Sequence, residues 1–118
     1  MQRRFRLTSS TDFKRVRRFG KSYAHPLVVL LVLPNEQNQT RLGIAAGRTM
    51  GKAVQRNRAK RVLRAAVQPF LADLLPGWDC VLISRQPLAE ASFMDLQSVL
   101  NRLFRRAGLL INSNDTTE

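Results

Sequence analysis

A chain of 118 residues with 44% hydrophobic and 24% charged side chains is sized for one domain with a packed core, which excludes a disordered basic tail. Its longest apolar run, Leu27 to Leu33, is strand-sized against the ~18 residues of a membrane span, Phe5-Arg6-Leu7 is too short and charged for a signal-peptide core, and Cys80 is the single cysteine, so a cytoplasmic protein without membrane segment or internal disulfide is expected. The formal net charge is +12, and residues 1–64 carry 16 of the 20 basic side chains against Asp12 and Glu36 alone; self-repulsion of this size opposes compaction unless a polyanion relieves it, which favours a nucleic-acid partner over an anionic membrane surface.

Residues 1–7 read as a basic arm leading into a single domain over 1–111, and the polar end, 112–118, reads as a disordered tail. A first helix is expected from Ser10 to Phe19. Ser9 and Asp12 have capping-box spacing and Gly20 stands at the C′ position. Phe13 and Val16 point one way, and Lys14, Arg15, Arg17 and Arg18 occupy the rest of its surface. Tyr23 to Leu33 is an extended stretch rich in Val and Leu, the polar run from Pro34 to Thr40 is a loop, and Arg41 to Ala46 is a second strand. The two strands are expected to pair as an antiparallel hairpin.

Gly47 to Gly51 connects to a second helix, about Lys52 to Gln68, that Pro69 must kink or restart. A short helix through Leu75, a turn at Pro76-Gly77 and an apolar strand from Trp78 to Ser84 follow. Pro87 ends that strand. Ser92 and Asp95 open a third helix, about Phe93 to Ala107, whose Leu96, Val99, Leu100, Leu103 and Phe104 form one buried stripe before Gly108. A last short strand is expected at Leu109 to Ile111. The order α-β-β-α-β-α, with a possible final β, predicts an α/β (α+β) domain in which about three helices pack on one small mixed sheet of three to four strands.

The second helix carries the functional signal. Setting Arg56 at zero and stepping ~100° per residue, Lys60, Arg64, Asn57 and Arg61 fall within about 140° of it. Val62, Ala66, Ala59 and Leu63 fall on the other side, and Arg58 flanks the two. Arg56, Lys60 and Arg64 repeat at four-residue spacing with no acid between them, and Asp and Glu are absent from Glu36 to Asp73. Like charges at that spacing destabilise a helix by a few tenths of a kcal/mol each, so a merely solvated face would have Glu mixed in. The pattern instead suits guanidinium and ammonium groups laid on phosphates, with Asn57 able to reach a ribose hydroxyl or a base edge.

Arg56-Asn57-Arg58-Ala59-Lys60-Arg61, preceded by Gly51-Lys52-Ala53-Val54 and followed by Arg64, resembles the signature of the bacterial ribonuclease P protein family. The likeness extends to Asp12-Phe13 with Gly20, the strand ending Ile83-Ser84-Arg85-Gln86-Pro87, and Leu103-Phe104-Arg105, all in the family's order. The resemblance implies a left-handed β-α-β crossover built on the signature helix. It implies a protein subunit that binds the catalytic RNA of ribonuclease P in a 1:1 complex, and precursor tRNA, whose 5′ leader the holoenzyme removes by hydrolysis. The reaction would run on magnesium ions held by the RNA, with no catalytic residue and no metal site in the protein. By match, the residues on the catalytic RNA would be Arg56, Asn57, Arg58, Lys60, Arg61 and Arg64, joined by Arg48 and Lys52. A cleft between the first helix and the sheet would hold the leader with Phe13, Lys14 and Arg17. Three positions depart from the family pattern. Arg17 stands where relatives often have a second aromatic, Leu31 where some have tyrosine, and Thr49 follows Arg48 where two basic residues are common. Phe19 is the other candidate for the missing ring.

Two other classes compete with this reading. A self-sufficient nuclease needs clustered carboxylates or a partnered histidine base. The eight acids show no metal-site spacing, His25 reads as a surface or edge-strand residue, and Cys80 reads as an inert buried thiol. A ribosomal or nucleoid-associated binding protein shares the charge but not the extended signature.

Overall fold

The computed structural model describes residues 5–111. Helix α1 spans Ser10–Phe19, with the Ser9 Oγ accepting from the Asp12 backbone N–H at 3.4 Å. Gly20 ends it for a reason other than the one expected. Its backbone is extended, not left-handed, and a Cβ there would sit 2.5 Å from the Val16 carbonyl oxygen and 3.0 Å from that of Val32. The helix end lies too close to the sheet for a side chain.

The sequence presents Tyr23 to Leu33 as one extended stretch, but the chain folds it into two strands, β1 (Lys21–Ala24) and β2 (Val28–Pro34), which pair antiparallel around His25-Pro26-Leu27. Pro26 has no N–H to give a ladder, so the strand turns there. β3 (Arg41–Ala46) follows the polar loop but does not form the expected hairpin with β2. The sheet order is β1-β2-β4-β3, and β4 (Trp78–Ser84) lies between them, antiparallel to β2 and parallel to β3. The cause is burial. Cys80, Val81 and Leu82 of β4 alternate faces and are all fully buried, so this strand is covered on both sides and takes a central place. α2 (Ala53–Val67) links β3 to β4 as a β-α-β unit. A 3-10 segment, Gln68–Asp73, carries the chain past Pro69.

α3 (Phe93–Arg106) buries Leu96, Val99, Leu100, Leu103 and Phe104, its expected stripe, and Gly108 has the positive φ of 75° typical of a helix terminator. At Leu110 the chain makes a single antiparallel bridge with Leu74 instead of a strand. One sheet face, with Val28, Leu30, Val32, Leu42 and Leu82, packs on α2 and α3 in the main core. The other carries Leu31 and Val81 against Val16 of α1 and Leu7. Of the basic arm, residues 5–7 are described, and Arg6 bridges to Leu42 of β3. The 112–118 tail expectation lies outside the described residues.

Candidate RNA-binding surface

α2 holds its basic face outward because its other face is claimed by the core. Ala59, Leu63, Ala66 and Val67 are buried and Val62 is half-buried. The helix begins where the Lys52 backbone N–H donates to Gln55 Oε1 at 2.7 Å. Arg48, Lys52, Arg56, Asn57, Arg58 and Arg61 are exposed; Lys60 and Arg64 are half-buried. The helix and its neighbour strand sort these residues into groups. Arg56, Asn57 and Lys60 line a hollow with Ile44 and Ala46 of β3. Arg64 lines a second hollow with Arg6, Leu7, Phe13 and Ile44, so the arm, α1 and α2 meet at β3. Arg58 stands apart. It borders a different hollow, with Met50, Val62 and Leu88, on the other flank of α2.

Ion pairing separates structural from available cations. Among the described residues, the ion pairs fall on Arg15 and Arg41 and on no residue of α2. Arg15, expected among the free surface cations of the first helix, is instead bound inward. Its Nη2 lies 2.5 Å from Asp79 Oδ2 and 3.4 Å from Asp12 Oδ1. Arg41 reaches Asp79 from β3 at 2.8 Å, and Asn35 Nδ2 donates to the same carboxylate at 2.8 Å. Asp79 is fully buried. Burial pushes its pKa up, but hydrogen bonds from Arg41, Asn35 and Arg15 outweigh that and hold it below the usual carboxylate range. This cluster ties α1 to the sheet. Only the isolated apolar context of Asp79 in Trp78–Ser84 hinted at it.

α1 lies against the sheet face opposite α2 and α3. The Phe13 ring lies on Gly43 so closely that a Cβ there would be 2.5 Å from Phe13 Cζ. Register aligns Ala24, Val29, Ile83 and Ala45 as a row across all four strands on the α1 face. This row is half-buried to exposed, whereas the next one, Leu31, Val81 and Gly43, is buried. Arg17 follows Phe13 by one helical turn on the same side, while Phe19 shares the side of Asp12 and Arg15. Lys14, Arg17 and Phe19 are exposed, Phe19 at 65%. On the helix, Arg17 is thus the exposed cation one turn on from Phe13, and Phe19 lies on a different side.

His25 lies in the β1–β2 turn, where its Nδ1 accepts from the Leu27 N–H at 3.1 Å; burial and then Arg102 lower its pKa. Cys80 is buried and its thiol is pushed up to about 12, as an inert core thiol requires.

An α+β fold with an acid-free cationic helix beside a half-open sheet face is the build of a nucleic-acid-binding protein. The family model described as Ribonuclease P matches residues 1–108. The chain is 41% identical over 109 residues to the ribonuclease P protein component of Herpetosiphon aurantiacus, covering 92% of this chain and 89% of that one. It is 42% identical over 111 residues to that of Symbiobacterium thermophilum, covering 93% and 96%. Among solved structures, the RNase P protein of Staphylococcus aureus superposes with a TM-score of 0.78 at 29% identity, covering 90% of this chain and 97% of that one. The RNase P protein from Thermotoga maritima gives 0.73 at 33%, covering 85% and 96%. This chain belongs to the ribonuclease P protein family. It is an RNA-binding subunit of ribonuclease P, acting in the maturation of tRNA 5′ ends. Among the described residues no helix is long and apolar enough to cross a membrane.

Proposed function

We propose that this chain, one copy per RNA, seats its α2 face on the catalytic RNA through Arg56, Asn57, Lys60, Arg61 and Arg64. Arg48 and Lys52 extend the interface from the connector, and Arg58 meets RNA on the opposite flank of the helix. The observation that carries this reading is that α2 keeps its cations clear of carboxylates among the described residues, in a helix whose like charges oppose its own formation. The 5′ leader lies on the half-open row of the sheet, with Phe13 stacking and Arg17 and Lys14 on phosphates. The site of action is the cytoplasm.

Bond cleavage belongs to the RNA and its magnesium ions. Asp12 and Asp79 are engaged by the guanidinium groups of Arg15 and Arg41, which makes these two carboxylates poor magnesium ligands. The protein's part is to bind, orient and reduce phosphate repulsion, which lowers the magnesium concentration the RNA needs. Arg61→Ala or Arg56→Ala tests the α2 assignment. The log–log salt slope of catalytic-RNA binding should become shallower by about 0.7–0.9 for each phosphate left without its cation. An unchanged slope would remove α2 from the interface.

A further inference from the structure

A second basic margin lies on the sheet edge opposite β3. β1 is the edge strand there and α3 packs beside it. Lys21 Nζ and Arg106 Cζ lie 5.5 and 5.7 Å from the centroid of the Tyr23 ring, and Arg18 Cζ lies 5.4 Å from that of Phe19. At the other end of the strand Arg85 Nη1 donates to the His25 carbonyl at 3.5 Å, and Arg102 is close enough to influence His25. Arg18, Lys21, Arg85, Arg102 and Arg106 are all exposed, and among the described residues none is in an ion pair. Charged side chains on an edge strand, Lys above all, serve to keep it from pairing with another chain. Five cations along a four-residue strand exceed that need, and they are drawn from three separate parts of the sequence.

The half-open row Ala45–Ile83–Val29–Ala24 ends on this same edge. A single strand of RNA crossing the sheet face from the α2 side leaves it at Ala24, beside Arg85 and Arg102. Phosphates leaving there meet a cationic track, and the exposed Phe19 ring offers a stacking surface of the kind single strands use.

We propose that the β1 margin, Arg18, Lys21, Arg102 and Arg106 with Phe19, is a second RNA track that holds the part of the 5′ leader lying beyond the sheet face. It rests on the reading that the leader occupies that face. The test uses holoenzyme reconstituted from the full chain, the catalytic RNA and two precursor tRNAs. One carries a leader long enough to pass the β1 edge; the other carries a leader that ends on the face. The Lys21→Gln/Arg106→Gln variant should raise KM several-fold for the long-leader precursor and make its salt slope shallower by about 0.7 per phosphate released from the track. The short-leader precursor and the affinity for catalytic RNA should not change. Arg18→Gln, which leaves the surroundings of Tyr23 alone, should act in the same direction. Equal losses for both leaders, a loss of affinity for catalytic RNA, or no change with either variant would each overturn the proposal.

Phe13→Ala, run in parallel, separates this failure from that of the underlying reading. It should weaken both precursors; a silent Phe13→Ala removes the leader from the sheet and this track with it. A Phe13→Ala effect with silent margin variants removes the track alone. Ser22→Cys gives a direct readout, because Ser22 is exposed on β1 and Cys80 is buried. A photo-crosslinker on that thiol should mark the upstream leader, and marks on the catalytic RNA instead would contradict the assignment.

Discussion

Asp79 is the residue on which the local geometry turns. It is fully buried and holds Arg15 from α1, Arg41 from β3 and Asn35 from the loop between β2 and β3. Removing one partner of a buried ionic cluster costs about 3–5 kcal/mol. Arg15 and Arg41 retain partial access to solvent, at 36% and 21% of their side-chain surfaces, so Asp79→Asn is expected near the lower end of that range. The pH dependence has a definite sign. Because the folded pKa is depressed, the contribution is present above the unfolded value of ~3.9 and is lost as pH falls through the folded value. Urea unfolding should therefore show a wild-type advantage over Asp79→Asn at neutral pH that shrinks below about pH 4. An advantage constant across that range would mean the carboxylate charge is not what stabilises the cluster. The lone acid in the apolar run Trp78–Ser84 was the one hint, and its partners were not legible in the sequence. Arg15 and Arg41 stand 64 and 38 residues from Asp79, and a lone Arg among other arginines carries no local mark of an inward partner. Cys80 was legible, since a thiol within an apolar strand has one natural place.

At the scale of elements, periodicity told more than pairing. The faces of α2 and α3 follow from side-chain spacing alone, and the structure buries Ala59, Leu63 and Ala66 of α2 and the five-residue stripe of α3 as that spacing requires. Strand order did not follow from adjacency in sequence, because β4 intervenes between β2 and β3. The signal existed in Trp78–Ser84: a near-continuous apolar run marks a strand covered on both faces, and such a strand belongs in the middle of a sheet. Pro26 likewise marked the break between β1 and β2. The α2 face is where function and stability oppose each other, which a single substitution can expose. Lys60→Glu replaces repulsion with Arg56 and Arg64 by two attractive four-residue pairs, each worth about 0.2–0.5 kcal/mol, the pair with Arg64, acid first, being the stronger. The variant should melt at or slightly above the wild-type temperature and bind catalytic RNA much more weakly. A variant that melts lower, or binds as well as wild type, would show that Lys60 serves the fold and not the RNA.

At the scale of the molecule, the linear distribution of charge understates what folding does with it. The second half of the chain, 65–118, has more acids than bases, yet its Arg106 shares the Tyr23 ring with Lys21, and its Arg85 and Arg102 lie near His25 at the far end of β1. The domain thus presents cations on both sheet edges, with the half-open sheet face between them. The identity of the site helix and the separation of Arg58 were legible because motif and helical spacing are local; the grouping of Arg64 with Phe13 and Arg6 needed the sheet. The central claim is that the α2 face makes this chain a working partner of a catalytic RNA. The most direct measurement is 5′ processing of a precursor tRNA by ribonuclease P RNA at low magnesium, with wild-type chain or with Arg56→Ala/Lys60→Ala/Arg61→Ala added. Wild type should restore cleavage, and the triple variant should restore it only at much higher protein concentration or lower salt. Cleavage by the chain without RNA, or full rescue by the triple variant at the wild-type concentration, would contradict the account.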